Sequence, residues 1–371
     1  MTEIAECADL HKSDATFGSD ASRLFRPDAI DDACEKCGIE GPMREVVLEA
    51  LREINASPGE MRAAWHYYHL LFLSGENQIE AAKHWPIAPP ASSIGRRLFY
   101  AIVCLAGVPE IRRRHAERGI AEDITWDTLG DLRVWLDHGR LGGDWVFERI
   151  DWLVRHCQLR LFRIGRAQIE LAPFALPVRL IEHAEKRWVV ALEEGRVVDP
   201  WGRLLPERYD LDSSRWNVLV KEGDEVALAH LPADGAFHFS HAYDFAFAVP
   251  EFLGSHFPER GIKAMYFEGW AVDPALESVL PARAALVRML RQLYHLKRDR
   301  GSERPMLRSL FGRPVKSLDD VVPETTLQKA IVGAIRAGVQ FRGGSALFVF
   351  GWPDGEHVRT LFRDWQHAHG R

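Results

Sequence analysis

The feature that most constrains this chain is a change in the spacing of its apolar residues near position 156. Before it, apolar positions recur every three or four residues, the spacing that lines one face of a helix. Val46, Val47, Ala50, Leu51 and Ile54 follow that rule from Met43 onward. Ser57, Pro58 and Glu60 then supply an N-cap, a first-turn proline and a capping-box acid for a helix that carries Met61, Trp65, Tyr68 and Phe72. The stretches "RRLFYAIVCLAG", "VPEIRRRHAERG" and "TWDTLGDLRVWLDHG" continue the pattern, so residues 1–155 read as an all-helical domain.

From "HCQLRLFRIGRAQIEL" onward, short β-rich runs take over, and residues 156–371 read as a second domain. Gly165 lies where the apolar face of this first run switches, which predicts a bulge or bend in one long strand. "RWVVALEEGRVVDPWG" predicts a hairpin, and "WNVLVKEGDEVALAHLP" two strands around Glu222 to Asp224. "SHAYDFAFAVPEFLGSHF" predicts a helix interrupted by Pro250, and "KAMYFEGWAVDP" a further strand. Strand, helix, strand in that order predicts a crossover that places two strands parallel with a helix on one face. The remainder predicts a helix over 282–301, a loop around "FGRPVKSLDDVVPE", a helix over "TLQKAIVGAIRAG" and a final strand "SALFVFGW".

Bulk properties remove several function classes. Apolar residues make up 47% of the 371 and charged residues 27%, ordinary values for a soluble globular protein. A formal charge of -6 argues against a nucleic-acid partner, and the basic cluster Arg112 to Arg114 reads as a solvated helix face. Five scattered cysteines suit a reducing compartment, and the first residues have neither the basic start nor the apolar run of a signal peptide. No stretch is apolar enough to span a membrane, so a cytoplasmic location is expected. Cys34 and Cys37 have zinc-knuckle spacing but no second pair of ligands, so no metal is expected. A serine hydrolase is excluded by the lack of a Gly-x-Ser-x-Gly elbow.

Four segments, "GIAEDITWDTLGDLRVW", "LRLFRIGRAQIEL", "LAHLPADG" with "YFEGWAVDP", and "VPETTLQKAIVGAIRAGVQFRGG", occur in an order that resembles bacterial acyltransferase domain-containing proteins. Those proteins join a helical N-acyltransferase amino-terminal domain to a GNAT-like carboxy-terminal domain. The resemblance runs from about Gly107 to Gly344, and its strongest piece is Leu161 to Gln168. It implies an α/β (α+β) fold, in which a GNAT-like mixed sheet with flanking helices follows the helical domain, and acyl transfer from a thioester donor to an amine. Phe267-Glu268-Gly269-Trp270-Ala271 stands where the family carries a Cys-x-Ser-Trp-Leu phrase, so no role of that cysteine or serine carries over. His230 matches the histidine of the family's His-Ile-Pro phrase.

Amide formation from a thioester needs a neutral amine, a group to take its proton, and donors facing the developing oxyanion. His230 ends one strand of the expected parallel pair. Glu268 sits near the end of the other, on the face of Ala264, Tyr266 and Trp270, where it is expected to point into an apolar surface and meet His230. His230 or Glu268 is the candidate base, with Tyr266 as acid for the leaving thiolate; the alternative is a buried structural hydrogen bond between the first two. Arg163, Arg166 and Gln168 are candidates for clamping a carboxylate or phosphate, with an ion-pair role as the alternative, and Trp270 for contacting the substrate. The donor-binding candidates are Leu231, Gly235, His238 and His241 in the loop "LPADGAFHFSHAY". That loop has no Lys or Arg, so a diphosphate would find little charge there unless distant basic residues fold in. Acyl-CoA is the candidate co-substrate, with no tightly bound cofactor, and an acyl carrier protein is the alternative donor. A catalytically silent ligand-binding protein is the rival reading.

Overall fold

The computed structural model describes residues 17–141, 144–209, 211, 213–231, 244–298, 303–351 and 355–368. The chain divides into two compact units, Met1–Gly165 and Arg166–Arg371. In the first, the helix Phe99–Ala106 is buried on every side, as its uninterrupted apolar sequence requires, and the other helices pack around it. Tyr67 of the helix Pro58–Tyr68 meets the rings of Phe99 and Tyr100 at 5.9 and 5.1 Å. Ser57 caps that helix by accepting from the Glu60 N–H at 3.4 Å. Trp65, Tyr67 and Tyr68 thus serve the core. The Arg112 to Arg114 cluster is a helix face engaged by acids, with Arg113 bonded to Glu110 and Arg114 to the same carboxylate.

The first unit is not wholly helical. β1 (Arg140–Leu141) and β2 (Asp144–Trp145) form a short antiparallel ladder, and β3 (Leu161–Ile164) follows the helix Ile150–Cys157. Beneath them lies a buried polar cluster. The Thr125 hydroxyl donates to Ala121 O, so it accepts from His115 Nδ1–H at 2.8 Å. Asp131 Oδ2 accepts from Trp152 Nε1 at 2.9 Å and from His156 Nε2 at 3.1 Å. Cys34 and Cys37 are buried, and burial pushes both thiols up to about 12, which disfavours the thiolate that a metal would need. Among the described residues no helix is long and apolar enough to cross a membrane.

The second unit is a two-sheet sandwich with helices outside. Its strands are β4 (Ala167–Pro173), β5 (Val178–His183), β6 (Val189–Glu193), β7 (Arg196–Val198), β8 (Leu204–Arg208), β9 (Trp216–Val220), β10 (Glu225–His230), β11 (Ala264–Gly269), β12 (Tyr294–Arg298) and β13 (Gly344–Val349). In the mixed sheet they run β12-β13-β11-β10-β4, and in the antiparallel sheet β8-β7-β6-β5-β9. The two sheets share one core, with Val178, Leu180 and Ala191 on one side meeting Val226, Tyr266 and Leu347 on the other. Phe362 and Trp365 of the helix Gly355–Ala368 cover the outer face of the antiparallel sheet. Tyr294 stitches the layers together: its hydroxyl accepts from Ala191 N–H at 3.1 Å and donates to Val198 O at 2.6 Å. Those two residues face each other across β6 and β7.

Several sequence expectations need correction. Gly165 is not a bend in one strand; with φ +57 it forms a turn with Arg166 that separates β3 from β4. The two strands expected around Glu222 to Asp224 are β9 and β10, and the chain changes sheets between them. Pro250 does not break its helix but occupies the first turn of Val249–His256, after a π-turn at Asp244–Ala248. The helix expected over 282–301 ends at Leu290, and Tyr294–Arg298 is a strand. Leu293, Tyr294 and Leu296 are all buried, so these apolar residues fit either period, and pairing with β13 decides it. "SALFVFGW" is the last strand but not the last element.

Two predictions follow from this packing. Tyr294→Phe removes the hydroxyl that joins Ala191 and Val198 and is expected to cost about 1–3 kcal/mol in urea unfolding, more than a surface tyrosine would. Burial lowers the His115 imidazole to about 4, with His156 adding to the effect, and burial lowers His295 to about 4. Both groups take up protons more readily when unfolded. Their stabilising contribution is therefore complete above pH ~6.5 and lost as pH falls toward ~4, about 3 kcal/mol for each. His115→Asn and His295→Gln keep the bonds to Thr125 and Leu290 without a titrating ring; each should flatten stability against pH in that window, and unchanged slopes would refute the assignment.

Candidate active site

The site is built on the one parallel pair of the described strands, β10 and β11, joined by a crossover that includes the helix Val249–His256. Their register runs from Ala227↔Met265 to Ala229↔Phe267. Each strand continues beyond that point with its outer neighbour: β10 to His230↔Gln168 on β4, β11 to Gly269↔Gly344 on β13. The ladder between them therefore stops while the strands go on, and the pair opens at the end that carries His230 and Glu268.

One face of the mixed sheet is graded along its length. At the closed end it presents Val226, Ala264 and Val349, which are buried between the sheets. At the open end the same alternation brings up Gln168, Glu170, His230, Glu268 and Ser345. Glu170 lies opposite Leu228, one diagonal step from His230, and its Oε2 accepts from His230 Nε2 at 3.0 Å. The Glu170 side chain is only 8% exposed, against 26% for His230. A carboxylate accepts hydrogen bonds and does not donate them. The bond therefore assigns the proton of neutral His230 to Nε2 and the basic lone pair to Nδ1.

Glu170 was not among the residues singled out from the sequence. In "AQIELAP" it alternates with Ile169 and Leu171, as it would on a strand with a solvated face. Only the pairing of β4 with β10 brings it to His230. Glu268, expected to be that partner in an apolar surface, is exposed instead. It shares the face and the open end with His230, one strand away. Tyr266 is buried in the core with its ring edge-on to Phe174 at 5.3 Å, the position of a packing residue. Gln168 is buried directly opposite His230.

The remaining expectations divide. Arg163 lies on β3 in the first unit, and its Nε donates to Gly165 O at 3.2 Å, whereas Arg166 opens the second unit. Leu231 follows His230 directly and is partly exposed; Gly235, His238 and His241 lie outside the described residues. Trp270 begins the 3-10 turn Trp270–Val272, reached through Gly269 at φ +109, a conformation that side-chain-bearing residues avoid. The segment after β11 is held by Asp273. Its Oδ1 accepts from Ala275 N at 2.9 Å, and its Oδ2 from Arg342 N at 2.7 Å and Gly343 N at 3.0 Å. That fastens Arg342 and Gly343, the residues that lead into β13. Among the described residues no group of His, Cys, Asp and Glu could hold a metal ion.

This architecture is shared with known proteins. Residues 28–159 match the N-acyltransferase N-terminal domain and residues 161–348 the GNAT-like C-terminal domain. No curated protein sequence matches the chain. Among solved structures, an acyltransferase mutant in complex with octanoyl-CoA is similar at TM-score 0.63 and 19% identity, over 86% of this chain and 87% of that one. An acyltransferase in complex with decanoyl-CoA gives 0.62 and 22%, over 86% of both chains. An acyltransferase in complex with decanoyl-CoA and teicoplanin gives 0.60 and 21%, over 86% of this chain and 87% of that one. The chain belongs to the acyltransferase family in which an N-acyltransferase N-terminal domain is followed by a GNAT-like C-terminal domain.

Proposed function

We propose that this protein transfers an acyl group from an acyl-CoA thioester to an amine of a small molecule, with His230 as general base and Glu170 as the residue that orients it. The observation that carries the reading is the buried Glu170 carboxylate bonded to His230 at the open end of the β10–β11 pair. The similar structures that hold octanoyl-CoA or decanoyl-CoA, in one case with teicoplanin, support acyl-CoA as donor and a small molecule as acceptor.

The steps follow from the tautomer. His230 Nδ1 takes a proton from the amine as its nitrogen attacks the thioester carbonyl, and Glu170 stabilises the imidazolium that forms. The tetrahedral intermediate collapses, the C–S bond breaks, and the imidazolium returns the proton to the departing thiolate. Amide and free thiol result, with no net change at the enzyme. Exposed Glu268 draws the acceptor as its ammonium form toward the open end, where it releases one proton to solvent to become the neutral amine that attacks, and Gln168 and Trp270 border its approach. The cytoplasm, where acyl-CoA is abundant, is the compartment we infer.

His230→Ala is expected to lower kcat by about 10²–10⁴-fold with little change in acyl-CoA affinity. Glu170→Gln should lower kcat by about 10²-fold while the fold is retained, because the amide no longer enforces the tautomer or stabilises the imidazolium. Single-turnover assays with amine acceptors and acyl-CoAs of graded chain length check both. Wild-type turnover unaffected by either substitution would remove the pair from the mechanism. Activity with a loaded acyl carrier protein but not with acyl-CoA would replace the donor.

A further inference from the structure

A donor that carries phosphates needs cations, and the chain after β10 offers none: residues 232–243 contain an aspartate and no Lys or Arg. The second unit supplies them elsewhere. A cavity of about 490 Å³ is lined by Arg304, Pro305, Arg308, Pro314, Val315 and Lys316. Its lining has three cationic side chains and no carboxylate, in a chain whose formal charge is -6.

The local structure explains the convergence. Arg304 and Arg308 are one turn apart on the helix Arg304–Phe311, and so share a face. Gly312, at φ +66, ends that helix, and the loop beyond returns Lys316 to the same cavity. Among the described residues none of the three has an ion-pair partner, although acids lie close in sequence. Asp319 faces Arg336 at 3.6 Å, and Asp320 accepts from Ser317 N at 3.0 Å in a capping box. Like charges one helical turn apart repel, so an anion from outside the chain would stabilise the cluster.

Its position fits the substrate. The helix Arg304–Phe311 packs against Trp270–Val272, the turn that leaves β11 at the open end of the parallel pair. We propose that Arg304, Arg308 and Lys316 form the phosphate-binding subsite for the nucleotide end of the acyl-CoA donor. The claim rests on the acyl-CoA reading above and adds the residues that recognise the donor. A guanidinium pair binds phosphate oxygens in bidentate fashion, and an ammonium adds a third point of charge.

The test compares donors with and without those phosphates. All three side chains are exposed, so Arg304→Gln, Arg308→Gln and Lys316→Gln leave the core intact. Each should raise the KM of acyl-CoA by about 10-fold with little change in kcat, and the triple variant should lose most of the salt dependence of KM. The KM of the matching acyl-pantetheine thioester, which has no nucleotide, should stay at the wild-type value in every variant. Titrations with CoA, 3′-dephospho-CoA and inorganic pyrophosphate show which phosphate is held: loss of the variants' effect on removal of the 3′-phosphate assigns that group, and its persistence assigns the diphosphate. Unchanged CoA affinity in the triple variant, measured by calorimetry, overturns the proposal, as does an equal rise in KM for acyl-pantetheine. If the wild type transfers an acyl group from neither thioester, the functional reading fails, and the calorimetric comparison still decides the subsite.

Discussion

Most of the site depends on β10 and β11 being parallel neighbours. An antiparallel pair can close through a tight turn, whereas a parallel pair must send the chain across a face of the sheet and leave both strand ends apart. Here the shared register stops at Ala229↔Phe267 while each strand keeps its outer partner to the end. The opening needs no special loop. It arises because two strands follow different neighbours.

The same sheet face that builds the core also builds the site. Val226, Ala264 and Val349 bury their side chains against the antiparallel sheet, and four residues further along each strand the positions are polar: His230, Glu268 and Ser345. A buried carboxylate such as Glu170 is costly without a partner, and the imidazole of His230 supplies one. Tyr294 and Asp273 protect this arrangement from opposite sides. One ties the two sheets through Ala191 and Val198, and the other fixes the turn leading into β13. Both are polar groups that hold backbone in place.

The outline of the fold was legible because period and punctuation agreed. Helical spacing before residue 156, the Ser57-Pro58 start and the strand–helix–strand order all have local causes, and the structure contains them. What the sequence hid was decided by pairing. Tyr294–Arg298 reads as helix until β13 claims it, and nothing in the sequence says that β9 and β10 join different sheets. Glu170 was hidden for the same reason. Alternation says that it shares a face with Gln168, but not that this face meets His230. His230 was legible because a histidine two residues before Pro232, at the end of an apolar strand, is locally unusual. Arg304, Arg308 and Lys316 were not, because their convergence depends on the Gly312 turn.

The choice of Glu170 over Glu268 as the partner of His230 has a mechanical reason. In the proposed mechanism a substrate enters between β10 and β11 on the side where the ladder has ended, and no backbone hydrogen bond of that ladder fixes separations across the gap. Between β10 and β4 the ladder is unbroken through His230↔Gln168, and a side-chain pair spanning it is held by backbone hydrogen bonds along its whole length. A base must keep its tautomer and direction while the reacting groups arrive. With the proposed orienting carboxylate on the closed side, Glu170 keeps its 3.0 Å bond to the imidazole, while Glu268 lies exposed at the open side.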